Sequence, residues 1–301
     1  MKIKIGGFIV CVSFCTSLLA QDTALLHVRE RILNELSLQK GIFAVAFKDI
    51  STKKEILINE KKAFHAASTM KTPVMIEVFR QAAAKKFSLH DSLVIKNEFR
   101  SIVDSSSYSL DSTDDSEFEL YKQVGKKKSI YDLVYNMIIA SSNLATNIII
   151  ELVDAKNVTQ TMRGYGAKDI QVLRGVEDQK AFDKGLNNTT TAYDLMLIFE
   201  KIARGKAVNK KASIAMIKIL LDQEFNDIIP AQLPTEIKVA HKTGFITGIH
   251  HDSGIIFLPD GRKYVLVLLS KNLEDEKQAI KAMADVSRLF YEYVISLPVH
   301  R

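Results

Sequence analysis

The stretch HAASTMKTPV, residues 65–74, is where the chain leaves extended segments and enters a helix. An apolar run begins at Val74, and Pro73 falls in the first turn, where backbone N–H groups have no intrahelical partner anyway. Ser68 and Lys71, three positions apart, then lie one turn apart on one face. Ahead of this junction, GIFAVAFKDI (41–50) and KEILINE (54–60) read as two strands around the turn STKK. Behind it the chain is mostly helical to about residue 222. That region includes SIYDLVYNMIIASSNLATNIIIELV (129–153), TTTAYDLMLIFEKIA (189–203) and KASIAMIKILLDQ (211–223).

The tail returns to strands: TEIKVAHKTG (235–244), DSGIIFLPDG (252–261) and KYVLVLLSK (263–271), the last two joined at Pro259-Asp260-Gly261. Helical periodicity recurs at LLHVRERILNEL (25–36) and in the closing segment 275–295. Strands at both ends around a helical centre predict an α+β fold of two lobes. One antiparallel sheet of about five strands, flanked by terminal helices, is closed by the two termini, and an all-helical lobe is inserted. The sheet lobe takes about 21–63 and 226–301, the helical lobe about 64–225, and a cleft is expected between them. VDSSSYSLDSTDDSEFE (103–119) reads as a surface loop with an acidic tip.

With 301 residues, 47% of them hydrophobic and 25% charged, the chain has the composition of a globular protein with a generous core. The formal net charge is +6, and two of those charges, Lys2 and Lys4, precede the first apolar stretch. So small and scattered a surplus does not suggest nucleic acid, and Lys126-Lys127-Lys128 reads as a solvated run. MKIKIGGFIVCVSFCTSLLAQD has a basic start, an apolar stretch from Ile5 to about Phe14 and small residues near Ala20. It is expected to be a secretory signal, residues 1–20, cut before Gln21. The stretch is shorter than the roughly 18 residues of a membrane anchor. Both cysteines, Cys11 and Cys15, lie inside it, and Phe14 is a poor neighbour for a lipid attachment at Cys15. The mature chain then has no disulfide, no cysteine nucleophile and no cysteine zinc site.

Three short patterns carry chemistry, each with a bland alternative. A serine hydroxyl attacks only when a neighbour takes its proton, and a lysine does so only when burial or nearby positive charge lowers its pKa. Lys71, beside Ser68 in an apolar helix, meets part of that need, but the pair also suits an exposed helix opening. Ser141-Ser142-Asn143 interrupts an apolar helical run and equally suits a helix N-cap. Lys242-Thr243-Gly244 at a strand end offers a cation, a hydroxyl and close backbone approach to an anion; it also suits an edge strand guarded by lysine.

Together, in this order, the three patterns resemble the penicillin-recognising serine hydrolases, and the chain resembles a class A β-lactamase over its whole mature length. The resemblance implies Ser68 as acylated nucleophile, Lys71 as its proton partner and Ser141 as relay to the leaving nitrogen. Asn143 would hold the substrate's amide side chain, Lys242 and Thr243 its carboxylate. The backbone N–H groups of Ser68 and Phe245, beyond Gly244, would form the oxyanion hole. LRGVEDQKAFDKGLNNTTTAYDL resembles the family's omega loop, with Glu177 as the base that activates the deacylating water and Asp178 as its rival. The implied activity is hydrolysis of the β-lactam amide through a serine acyl-enzyme, conferring antibiotic resistance, by an exported periplasmic monomer. It needs no cofactor, metal or nucleic acid, and its partner is the small-molecule substrate. A D-alanyl-D-alanine peptidase or a penicillin-binding sensor that acylates without turnover are the alternatives.

Three positions depart from the family's pattern. Ser142 stands where aspartate is usual. Ala181 stands where a water-holding asparagine is usual, with Asn187 or Asn188 as candidate substitutes. An arginine usual on the next strand is missing; Asp252 or Ser253 falls near its place, which would leave carboxylate binding to Lys242, Thr243 and Thr247. His241, His250 and His251 cluster near Asp252, but their spacing fits no common zinc pattern.

Overall fold

A computed structural model describes residues 9–298, with side chains from residue 23 onward. The side chains of the expected signal segment, including Cys11 and Cys15, lie outside the described residues. The chain begins with α1 (Ile9–Ser37), then β1 (Ile42–Asp49), β2 (Glu55–Ile58) and the short β3 (Phe64–His65). A single 3₁₀ turn, Ala67–Met70, leads into α2 (Lys71–Ala83). Short strands β4 (Ser92–Val94), β5 (Phe99–Arg100), β6 (Ser107–Tyr108) and β7 (Lys127–Ser129) follow. Then come α3 (Ile130–Ile139), α4 (Asn143–Val153), α5 (Ala155–Gly164), α6 (Gln179–Asp183), β8 (Thr189–Thr190), α7 (Ala192–Ala203) and α8 (Lys210–Leu221). The chain returns through β9 (Lys238–Ile246), β10 (Ile249–Phe257) and β11 (Lys263–Lys271) to α9 (Glu276–Ser296).

The main sheet has five antiparallel strands, as the sequence predicts, and their order is β2-β1-β11-β10-β9. Its faces follow from period-two alternation. Along β1 and β11, Phe43, Val45, Phe47, Tyr264, Leu266 and Leu268 face α1 and α9, where the rings of Phe47 and Phe290 stack 4.5 Å apart. Ala44, Ala46, Val265, Val267 and Leu269 face the helices of the middle segment. With both faces covered, these strands read as continuous apolar runs. Burying a side chain such as Phe47 contributes roughly 1.5–3 kcal/mol.

The helical segment 129–153 is two helices, and the N-cap reading of Ser141-Ser142-Asn143 holds. The chain breaks at Ala140–Ser142, where Ser141 takes a left-handed backbone (φ 57°). Ser142 caps α4, its hydroxyl accepting the Ala145 N–H at 3.2 Å. Residues 71–79 of α2 are buried on every side, so this helix forms the axis of the helical lobe. Among the described residues no helix is long and apolar enough to cross a membrane.

Candidate active site

Ser68 sits in the 3₁₀ turn ahead of α2 and lies partly exposed on the wall of a cavity of about 210 Å³. Asn143, Glu177, Arg174, Asn188 and Phe245 line the same cavity. The turn is strained at Ala67 (φ 44°) and braced from behind. The Ala67 N–H donates to His65 Nδ1 at 3.1 Å, and His251 on β10 holds Nε2 2.9 Å from the His65 carbonyl. Burial lowers the His251 pKa to about 4, so the ring is neutral near pH 7 and its Nδ1 accepts the Ser270 N–H at 3.2 Å.

Lys71 is fully buried because it begins a helix whose first nine residues are all buried. Its Nζ donates to the Ser141 carbonyl at 2.6 Å, the Ser141 hydroxyl at 3.2 Å and Asn143 Oδ1 at 2.9 Å. Among the described residues no hydrogen bond joins it to the Ser68 hydroxyl. Lys242, equally buried on β9, donates to the same Ser141 hydroxyl at 3.0 Å. Two ammonium groups thus converge on one oxygen in a dry place. Burial pulls Lys71 down to about 7, with the charges of Asp115 and Glu177 opposing it. Burial first, and the charge of Lys71 second, hold Lys242 well below its ordinary value. At neutral pH Lys71 is therefore available as a base.

Asn143 joins this pair to the omega loop: its Nδ2 donates to Glu177 Oε1 at 2.8 Å. Burial raises the pKa of Glu177, partly offset by that hydrogen bond and by one from the Asp111 N–H. Glu177 takes a left-handed backbone (φ 60°), which turns its carboxylate into the cavity. Its rival Asp178 is a structural group. It is buried and caps α6 at the Ala181 N–H (3.1 Å) while accepting from Ser101 Oγ and the Ile102 N–H, both at 2.9 Å.

Gly244 stands where β9 presses against the nucleophile turn. A Cβ there would lie 2.9 Å from the backbone nitrogens of both Ser68 and Thr69, so no larger residue fits without moving one segment. The backbone beyond it, at Phe245, runs beside Ser68. The Phe245 ring is exposed at the cavity rim and stacks on His250 with centroids 6.1 Å apart.

The departures noted in the sequence resolve in part. Asn187 and Asn188, the candidate substitutes for the absent asparagine, are drawn towards the backbone and side chain of Arg174. Asn188 spends its amide on backbone, accepting from the Leu173 and Arg174 N–H groups at 2.8 and 3.2 Å and donating to the Arg174 carbonyl at 3.0 Å. Asn187 accepts from the Arg174 guanidinium at 3.1 Å, and Ala181 is buried in α6. Asp252 does not stand in for an arginine. It is buried against His241 Nδ1 at 2.9 Å and takes the Ile229 N–H at 3.0 Å, while Ser253 Oγ donates to the Lys242 carbonyl at 3.2 Å. Thr247 is exposed in the β9–β10 turn. The three histidines diverge, His241 to Asp252, His250 to Glu276 at 2.9 Å and His251 towards the nucleophile turn, and no metal-binding group forms among the described residues.

Two supporting residues had no mark in the sequence. Asn147 on α4 clamps the omega loop, accepting the Val176 N–H at 2.7 Å and donating to the Val176 carbonyl at 3.1 Å. Gly175 makes room for it, since a Cβ there would meet the Asn147 amide at 2.3 Å. Asp115, from the segment read as an exposed acidic loop, is in fact buried against the start of α4. Nothing in the sequence separates Asp115 from its acidic neighbours.

Residues 27–294 match the model of the beta-lactamase enzyme family. The chain belongs to that family. Among relatives of this β-lactamase-family chain, beta-lactamase VEB-1 of Pseudomonas aeruginosa is 21% identical over 98% of the chain and 100% of its own length. Extended-spectrum beta-lactamase PER-1 of the same organism is 21% identical over 95% of the chain and 92% of its own length. A solved beta-lactamase from Sphaerobacter thermophilus superposes with a TM-score of 0.78 at 25% identity, covering 90% of this chain and 98% of the other. A PBP-A mutant in acyl-enzyme complex with penicillin G gives 0.77 at 22% identity, covering 91% and 98%. The alternating layout of sheet and helical lobe is thus that of the family.

Proposed function

We propose that the protein opens β-lactams through an acyl-enzyme on Ser68 and releases the product through Glu177. The observation that carries this reading is the continuous contact path Lys242–Ser141–Lys71–Asn143–Glu177 around the cavity that holds Ser68. Neutral Lys71 takes the Ser68 proton once substrate draws the two together; such bonds are often long before binding. Ser68 Oγ adds to the lactam carbonyl, whose developing negative charge meets the N–H groups of Ser68 and Phe245, a contribution commonly worth about 3–4 kcal/mol. The C–N bond then breaks, and its nitrogen receives a proton from Ser141, replenished by Lys71. Glu177 takes a proton from water, the hydroxide attacks the ester, and Ser68 leaves with a proton.

Lys242 and Thr243 bind the substrate carboxylate and Asn143 its amide side chain. No cofactor takes part. Glu177 facing the cavity supports turnover over a peptidase or a stalled sensor. The backbone bonds that occupy the Asn188 amide favour a deacylation slower than acylation. Residues 1–20 act as an export leader, and residues 21–301 work as a monomer in the periplasm. Incubation with a chromogenic cephalosporin, followed by absorbance and intact mass, tests the chemistry: turnover with a transient adduct is expected, and a permanent adduct rejects it. Intact mass and light scattering of the exported protein test the cleavage before Gln21 and the monomer.

A further inference from the structure

The middle position of Ser141-Ser142-Asn143 has no carboxylate of its own, yet a carboxylate occupies the adjoining space. Asp115 Oδ2 accepts the N–H groups of Asn143 at 2.8 Å and Leu144 at 2.9 Å, and the Tyr121 hydroxyl donates to it at 2.9 Å. The Ser142 hydroxyl stands 3.4 Å from the same oxygen, and Oδ1 accepts the Glu117 N–H at 3.1 Å. Asp115 forms no ion pair among the described residues. Its charge faces the N-terminus of α4, where the free N–H groups and the helix dipole favour an anion.

We propose that Asp115 is the positioning residue of this site: it fixes the first turn of α4, and through it the Asn143 amide suspended between Lys71 and Glu177. The inference rests on the acyl-enzyme reading above. Asn143 is held at its backbone by Asp115 and reaches both reacting partners with its side chain, Lys71 through Oδ1 and Glu177 through Nδ2. The residue two places earlier, Ser141, holds an unfavourable left-handed backbone, so the turn needs a restraint on its far side. Ser142 caps α4 only weakly, at 3.2 Å, and cannot supply a charge. Asp115 also ties the segment 111–123 to the cleft, because Tyr121 and Glu117 bind the same carboxylate. The charged and titratable groups facing it are Lys71 on α2, Glu177 on the omega loop, and Glu117 and Tyr121 on its own segment. The Asp115 charge raises the pKa of Lys71 and of Glu177 alike.

The test measures acylation by intact mass, and kcat, KM and their pH profiles with a chromogenic cephalosporin. It uses the wild type, Asp115→Asn, Asp115→Ala and Asp115→Ala combined with Ser142→Asp. A misplaced first turn predicts that Asp115→Ala slows acylation more than about tenfold, with kcat falling and KM changing less than about threefold. Placing the carboxylate at 142 in the same background recovers most of the rate. Asp115→Asn keeps an acceptor oxygen but removes the charge, so the acid limb of kcat/KM moves to lower pH. Wild-type acylation by Asp115→Ala overturns the proposal. So does an unmoved acid limb in Asp115→Asn, or a double variant that regains its melting temperature without its rate. Acylation is read whether or not turnover follows. A wild type that acylates and stalls therefore sinks the hydrolytic reading while these rate comparisons still judge Asp115.

Discussion

The two sides of the cavity are held by different forces. The floor, made by the 3₁₀ turn, α2, α4 and β9, carries Ser68, Lys71, Ser141 and Lys242 on elements whose positions come from apolar packing around Met70, Val74, Met75 and Ile76. The roof, residues 171–190, carries Glu177 on a loop held by separate polar clasps: Asn147 on Val176, Asn188 on Leu173 and Arg174, and Asp178 on Ala181 and Ile102. A packed floor fails as a unit. A clasped roof fails one bond at a time, each worth about 0.5–1.5 kcal/mol. Apart from the polar restraint that Asp115 places on the start of α4, the acylating half of the chemistry is therefore expected to be robust, and the deacylating half adjustable.

The largest test of that division is Ser68→Ala, which should abolish both turnover and the mass adduct. Lys71→Met should leave a folded protein whose acylation falls by about a thousandfold, the middle of the range for losing a positioned general base, measured by the rate of mass gain. Glu177→Ala should break the symmetry between the halves. Acylation stays within a few-fold of wild type while kcat drops by about a thousandfold and the adduct persists in the mass spectrum. Full turnover by that variant would place the base elsewhere. Asn188→Ala, which opens one clasp of the roof, should slow deacylation by about tenfold and leave acylation nearly unchanged, as single-turnover kinetics would resolve.

The smallest effect is on stability. Lys71 has a folded pKa of about 7 against an ordinary value of 10.5, so the unfolded chain binds more protons between those limits. Stability should then rise with pH across that window, and the penalty of burying the ammonium is fully present below it. Lys71→Met should flatten that part of the melting-temperature profile; an identical slope in both proteins would contradict the assignment.

The fold was legible because it depends on repetition. The short apolar runs in GIFAVAFKDI and KYVLVLLSK and the helical spacing of 189–203 survive any tertiary context, and one sheet shared by both termini follows from strands at both ends. The nucleophile, the two lysines and Asn143 were legible because a small motif set carries them. Glu177 was preferred over Asp178 on the family's spacing, and the helix-capping bonds of Asp178 agree with that preference. Asp115, Asn147 and His251 were hidden for one physical reason. Each acts by hydrogen-bonding backbone far away in the chain, and such a bond leaves no period and no spacing. The break at Ser141 was legible because three small polar residues interrupt the apolar pattern and suit a helix N-cap, the role Ser142 takes.

Three non-glycine residues at the cavity, Ala67, Ser141 and Glu177, hold left-handed backbones that most side chains avoid. Selection for heat tolerance alone would be drawn first to these positions, where relaxing the torsion or substituting glycine relieves the distortion. The variants so recovered would be hardier proteins with blunted chemistry, since the discomfort removed is what aims a hydroxyl and a carboxylate at the same bond.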